Sequence, residues 1–305
     1  MALGLDIQNP HAPFRKDGLS YYVRKASKHL AANPALMEVA FDLGKVREYL
    51  VARGPLADQP FEELIDSAIV ILRAFWSFRA ADLGHMAQLH NCDLDKFVEG
   101  NSTTPVNVWF YSLKTKQGLW SCLSLAPLSR SRLRKGLHLS AKEAARRSRS
   151  CCAVTALAEI RRRMLPVLRK QKTLSLQRKT VYGKQFFPFK RDLPEKLLNT
   201  GGEFRYIAAG TMNGLLAAHH LRMEGMPTLG LGCHPRHYRH VALSSMHFAG
   251  AADSAKILST HSTDSKVYQE SYKIADVDPD FKARYLSVHK LTGFAQLTAP
   301  ERLLL

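Results

Sequence analysis

The chain has 305 residues, 46% of them hydrophobic, which is enough for one large core or two modest ones. Its 44 Lys and Arg against 26 Asp and Glu leave a net charge of +18, so the first partner to consider is a polyanion, above all nucleic acid. Five cysteines without a CxxC pair argue against a disulfide framework or a structural zinc site, and no apolar run approaches the ~18 residues of a membrane span; the expectation is a soluble, reduced, intracellular chain.

Residues 1–18 are punctuated by Pro and Gly and read as an extended lead-in. Over 19–30 the pattern YYVRKASKHL suits a short amphipathic helix, its cations facing either solvent or a DNA backbone. Residues 41–54 predict a helix with Val46, Leu50 and Val51 apolar and Gly54 as its stop. After a break at 55–60 comes FEELIDSAIVILRAFWSF, acidic at its start, as suits the helix dipole, and apolar through its middle. It runs into Arg79, which on its own reads as a surface cation or as the partner of a nearby acid such as Asp82.

The stretch PVNVWFYSLKTKQGLWSCLSL has aromatic and β-branched runs on both sides of Lys-Thr-Lys-Gln-Gly, a hairpin signal with Lys114 and Lys116 in its turn. From 129 to 172 the composition turns sharply basic. Residues 129–150, with Arg146 and Arg147, read as a mobile insertion or a DNA-tracking loop that could double as a nuclear-import signal. The following SCCAVTALAEIRRRM keeps helical spacing in Val154, Leu157 and Ile160, which places Arg161, Arg162 and Arg163 on a basic outer face. Over 173–200 aromatic and basic residues mix in a strand and loop, with Tyr182, Phe186, Phe187 and Phe189 read as core rather than as stacking platforms. A helix over GTMNGLLAAHHLRMEGM carries His219 and His220, ordinary surface or core histidines by this reading.

The segment 233–272 gathers chemistry more densely than any other. It opens on His234, Arg236, His237, Arg239 and His240, continues as an apolar helix over 241–248, and stops at Ala-Gly-Ala with Gly250. A second helix-like piece holds Ile257 and Leu258, and a polar link ends in Tyr268 and Tyr272, four apart and so on one face of a helix. Cations next to phenol hydroxyls are the equipment for attack on a phosphodiester.

This segment resembles the C-terminal half of the catalytic domain of tyrosine recombinases, the phage-integrase superfamily. There a His-x-x-Arg-His box opens a helix that runs to an Ala-Gly pair, and a second helix, a His or Trp and the nucleophilic Tyr follow. Laid on without gaps, Arg239 and His240 take the Arg-His of the box, Ala249-Gly250-Ala251 the turn, and Tyr272 the nucleophile. The box's first His falls on Arg236, and the His/Trp position falls near Thr263, with His261 two residues early. Upstream, Ser77-Phe78-Arg79-Ala80-Ala81-Asp82-Leu83 is similar to the family's first box, Gly-Leu-Arg-x-x-Glu-Leu. The hairpin lysine of the family falls on Lys114, with Lys116 as the alternative. The resemblance spans 42–285 and is nearest to recombinases of eukaryotic mobile elements of the DIRS, Ngaro and crypton types.

What the resemblance implies is a mainly α fold with a small β-hairpin, a reduced core-binding segment over 1–41, a catalytic domain over 42–285 with its basic insertion at about 129–150, and a tail over 286–305. It implies double-stranded DNA as substrate, self-association on DNA as a dimer or tetramer, no cofactor, and a nuclear location in a eukaryotic host. Arg79 and Arg239, with Arg236 as a third cation, would hold the non-bridging oxygens of the scissile phosphate. Tyr272 would attack phosphorus and displace the 5′-oxygen, leaving a 3′-phosphotyrosine, and Lys114 would protonate the leaving oxygen. The phenol, ordinarily near pKa 10, needs a base, for which His234, His237 and His240 are candidates. Two other readings compete: a recombinase fold that binds DNA without cutting it, and an unrelated basic protein of an RNA assembly such as a ribosome.

Overall fold

The structure is a computed structural model that describes residues 42–88, 91–97, 104–112, 119–170, 185–189, 193–200, 202, 204–229, 233, 235–248 and 297–298. Lys114, Lys116, Tyr182, His234, His261, Tyr268 and Tyr272 lie outside the described residues, as do 1–41 and the Ala-Gly-Ala turn. Within them the chain is mainly helical: α1 (Leu43–Ala52), α2 (Phe61–Phe75), α3 (Ala80–Gly84), α4 (Arg130–Leu137), α5 (Ala141–Cys151), α6 (Ala153–Lys170), α7 (Pro194–Thr200), α8 (Ala209–His220) and α9 (His237–Phe248). β1 (Val106–Ser112) and β2 (Leu119–Leu125) form the expected antiparallel hairpin, Val106 opposite Leu125 and Ser112 opposite Leu119, and β3 (Leu297–Thr298) pairs with β2 across Cys122 and Ser121. No helix among the described residues is long and apolar enough to cross a membrane.

α2 is the axis of the fold. Every residue from Leu64 to Phe75 is buried, and a helix apolar on all sides has to lie inside other elements. α1, α6, α8 and α9 all pack against it. α1 begins at Asp42, whose carboxylate accepts from the Gly44 amide at 2.6 Å, and ends before Gly54, whose φ of +86° suits a residue without a Cβ. Glu62 and Glu63 in the first turn of α2 answer its dipole.

The two charged residues in the buried run of α2 are both spoken for, and both by α8. Asp66 meets His219 Nε2 at 2.9 Å, and Arg73 donates to Asn213 Oδ1 at 3.2 Å. Seven residues on α2 thus answer six on α8 in the opposite sense, so two polar bonds about two turns apart fix α8 antiparallel to the axis. The Asp66 pair continues outward. His219 Nδ1 lies 2.6 Å from the Tyr49 hydroxyl on α1, to which Arg53 also donates at 3.3 Å. His220 next door is held by Tyr238 of α9 at 2.9 Å and by the Pro227 carbonyl at 2.7 Å. Both histidines are core residues, one of the two placements expected for them.

The hairpin is attached to the core by Val108, Phe110, Leu123 and Leu125, all buried, and by Asn91, whose side chain spans the Trp109 amide and carbonyl at 2.8 and 3.0 Å. Phe186 and Phe187 are buried, as their composition predicts, in a short bridge against Met86, Ala87 and the 206–207 segment.

One structural expectation fails. Residues 129–150 are not a loop but two helices, α4 and α5, followed directly by α6. The charge run hid a helical pattern: Leu133, Ala144 and Cys151 turn inward, and Ser140 caps α5 by accepting from the Glu143 amide at 3.1 Å. Ser-Ala-Lys-Glu is the N-terminal half of a capping box, a signal that was present in the letters.

Candidate functional site

The first arginine box sits where α2 stops. Trp76 ends the helix, and Ser77 takes φ +55°, a left-handed conformation unusual for a residue with a side chain. That kink turns the chain so that Arg79 can precede the short α3. The resembling box carries Gly at this position, and the backbone here shows the physical reason: the turn needs positive φ. Arg79 is half-buried, and its guanidinium lies 3.8 Å from the Asp82 carboxylate one turn later. The local-acid reading of Arg79 therefore holds.

The second box forms the start of α9, and it meets the first. Arg239, buried at 6% exposure, donates from Nη1 to the Ser77 carbonyl. A third guanidinium closes the junction. Arg73, 3% exposed, donates to the Phe78 carbonyl at 2.8 Å and to the Pro235 carbonyl at 3.1 Å, besides its bond to Asn213. Phe78 immediately precedes Arg79, and Pro235 immediately precedes Arg236. Arg73 thus pins the backbone beside both arginines, although they are more than 150 positions apart in the chain. Burial first, then the Arg239 charge, lower the Arg73 guanidinium to about 10, while Asp82 acts in the opposite direction. At neutral pH it remains a cation.

The four arginines divide by exposure. Arg73 and Arg239 face inward and spend their donors on main-chain carbonyls, so they build the frame. Arg236 is exposed and presents its charge outward from the frame, whereas the Arg79 side chain is 12% exposed and turned onto the buried Asp82. Arg239, which the resemblance puts on the scissile phosphate, is here turned onto the Ser77 carbonyl. The position at which this chain departs from the family's box, Arg236, is the one that faces solvent. Of the histidines, His237 is buried and its ring centroid lies 5.9 Å from that of His240, which is half-buried. Burial also raises the nearby Cys233 thiol and, in the first turn of α9, the Tyr238 phenol above their ordinary values, so neither is set up as a nucleophile.

Arg73 and Asn213 were not singled out by the sequence reading. The signal for Arg73 was present: a lone cation between Leu72 and Ala74 in an otherwise apolar helix must find acceptors inside the fold.

The basic outer face expected of α6 is corrected in part. Arg161 is 7% exposed and grips Asp95 with two bonds of 2.6 and 2.8 Å while its third nitrogen meets the Gln88 carbonyl. Arg163 donates to the Gln59 and Ala57 carbonyls at 2.8 and 2.7 Å and to Glu159 at 2.7 Å. Both are internal braces on different sides of α6, because two residues turn the helix by about 200°: position 161 faces the 91–97 turn and position 163 the 56–59 turn. Arg162 is exposed and pairs with Glu159 at 2.6 Å. Arg146 and Arg147 both lie on α5, Arg147 held by Glu143 at 2.9 Å and Arg146 at 3.8 Å.

Glu159 is the hub of that brace. Burial alone would raise its carboxyl, but hydrogen bonds from Arg162 and Arg163, and then their charges, hold it below its ordinary value. A carboxyl depressed in the folded state contributes stability above its unfolded pKa, and that contribution fades as pH falls through the folded value. Stability should therefore decline on acidification below about pH 4, and Glu159→Gln should be less stable than the parent at pH 7 but should flatten the acid limb. Urea midpoints measured from pH 7 to pH 3 for both proteins check this.

The described residues define a mainly helical domain with one β-hairpin, in which two distant arginine-bearing turns are bolted together at the end of a buried helix. No protein-family model matches the chain, and comparison with curated proteins and with solved structures finds no match either. Among the described residues no group of three or more His, Cys, Asp or Glu is placed to hold a metal ion.

Proposed function

We propose that this chain is a DNA strand-transferase of the tyrosine-recombinase type, with the exposed Arg236 and, on turning from Asp82, Arg79 as the guanidiniums that meet the scissile phosphate. The observation that carries the reading is the meeting of the two boxes: the Arg239 guanidinium is bonded to the Ser77 carbonyl, and Arg73 joins Phe78 to Pro235.

In this reading the phosphate sits over the frame. Arg79 and Arg236 donate to its non-bridging oxygens and stabilise the charge that grows there as the fifth bond to phosphorus forms. Arg239 acts beneath them, holding the kink at Ser77. The Tyr272 phenol oxygen attacks phosphorus, the bond to the 5′-oxygen breaks, and that oxygen takes a proton from Lys114. The phenol gives up its proton to a histidine, and His240, half-buried one residue after the frame, is the accessible candidate of the described pair. The covalent phosphotyrosine conserves the bond, so rejoining to a second strand needs no external energy source.

The test is a nicked suicide duplex that loses a short 5′ fragment on cleavage. The parent is expected to form a covalent protein–DNA adduct resistant to denaturant, and Tyr272→Phe to form none. An adduct that survives Tyr272→Phe and disappears in Tyr268→Phe moves the nucleophile by one turn. Salt-sensitive duplex binding by the parent with no adduct on any substrate ends the strand-transfer reading and favours the binding-only one. The observation on the side of that second reading is the burial of Arg239, whose guanidinium is committed to protein.

A further inference from the structure

The helical hairpin α4–α5 supports an inference that the arginine frame does not. It is a seated unit, not a tether. The Ser148 hydroxyl donates to the Leu128 carbonyl at 2.7 Å, and the Leu128 amide donates to Cys152 Sγ at 3.3 Å, which closes the base of the hairpin. Leu133 and Ala144 are fully buried in it, and the Cys151 thiol, raised to about 12 chiefly by burial, reaches the Arg47 carbonyl of α1 at 3.9 Å. The Arg47 guanidinium in turn lies 5.7 Å from the centre of the Phe75 ring, at the end of α2 from which Ser77 and Arg79 follow. A short chain of contacts therefore connects the hairpin to the frame.

The outer face is almost purely cationic. Arg134 and Lys135 on α4 and Lys142, Arg146 and Arg149 on α5 are exposed, and Glu143 is the one acid between 130 and 151. Lys142, Arg146 and Arg149 are spaced four and three apart, so they form one row along the helix. The row rises about 10 Å, the axial length of about three nucleotides of one strand at ~3.4 Å each. An anionic membrane fits less well, because surface-bound helices need an apolar face beside the cations, and Leu221 of the 221–229 segment is the one strongly exposed large hydrophobic among the described residues.

From this the geometry points to the α4–α5 hairpin as a sequence-independent seat for the sugar-phosphate backbone of duplex DNA, flanking the scissile position. The placement beside the scissile phosphate rests on the strand-transfer reading, whereas the binding itself does not. Each phosphate neutralised releases a counterion and contributes ~0.9 to the slope of log affinity against log salt.

The experiment is fluorescence anisotropy of the full chain with a 30-base-pair duplex of arbitrary sequence from 50 to 300 mM NaCl. In Lys142→Gln/Arg146→Gln/Arg149→Gln the slope should fall by about 2 to 3, with the far-UV spectrum and melting midpoint retained. Arg146→Lys/Arg149→Lys should keep the parental slope. If the triple variant does not fold, Arg134→Gln/Lys135→Gln on the other helix should lower the slope by about 2. An unchanged slope overturns the proposal. So does an equal fall in a control with three exposed cations removed elsewhere, Arg169→Gln/Lys196→Gln/Arg222→Gln, because binding would then follow total charge. Displacement of the duplex by vesicles of anionic lipid, but not by neutral ones, overturns it in favour of a membrane. The adduct assay is read separately: a reduced slope without any adduct in the parent sinks strand transfer and leaves the hairpin standing, and an adduct with an unchanged slope does the reverse.

Discussion

Arg73→Met is expected to lower the unfolding free energy by about 3 kcal/mol. Methionine fills much of the space left by the arginine stem and adapts to irregular gaps, so the loss is chiefly one of hydrogen bonds. Three acceptors lose their donor at once: the carbonyls of Phe78 and Pro235 and the Asn213 side chain. Leaving a buried acceptor unmet costs roughly 1–3 kcal/mol, but Asn213 and Pro235 are half-exposed and can take water. Removing a desolvated cation that repels Arg239 returns part of the loss, which is why the expected figure lies below the sum. Arg73→Lys should fall between parent and Met, because a single ammonium cannot reproduce a planar fork that reaches three acceptors. Urea unfolding gives the ranking, and hydrogen exchange gives its location. Exchange should quicken together at 77–84 and at 235–242, the two turns that Arg73 joins, before it quickens at α6. A methionine variant as stable as the parent, with both turns equally protected, would remove Arg73 from the frame.

The parts of this architecture that sequence could yield are those with local causes. α1 was legible because Val46, Leu50 and Val51 repeat at helical spacing before a glycine, and α2 because acids and then an apolar run fill a helix length. The hairpin showed itself through paired β-prone runs around Lys-Thr-Lys-Gln-Gly. Residues 129–150 were misread because a dense row of like charges suggests a solvated loop, while three inward residues and one serine cap suffice to fold it against α1. Arg161 and Arg163 were misread for a related reason. The letters give a basic triplet, but only the helix phase and the turns at 56–59 and 91–97 decide which of the three faces outward. The convergence of the two arginine boxes was an expectation of resemblance, and no periodicity in the chain could have supplied it. It depends on a lone arginine in an apolar helix, whose partners lie up to 162 residues away.

Within the proposed mechanism, Arg236→Gln and Arg239→Gln should fail in different ways. Arg236 is exposed, so its loss should move the unfolding free energy by less than about 1 kcal/mol. Its removal withdraws a donor from the transition state, where losing one preorganised donor costs about 10²–10³ in rate. Single-turnover adduct formation at saturating duplex should fall by that factor. Arg239 is buried against the Ser77 carbonyl, and glutamine is too short to span the same gap. That variant should lose about 2 kcal/mol of stability, with the strained Ser77 turn loosened and Arg79 no longer held at a fixed height. Its adduct rate, corrected for folded fraction, should fall less than that of Arg236→Gln. The reverse pattern, a silent Arg236→Gln beside a stable and inactive Arg239→Gln, would mean that Arg239 leaves the Ser77 carbonyl for the phosphate when DNA arrives. The division of labour between an outward Arg236 and an inward Arg239 would then be wrong. The contrast is decided by which guanidinium is free of the backbone when phosphorus becomes five-coordinate, and the two variants measure that directly.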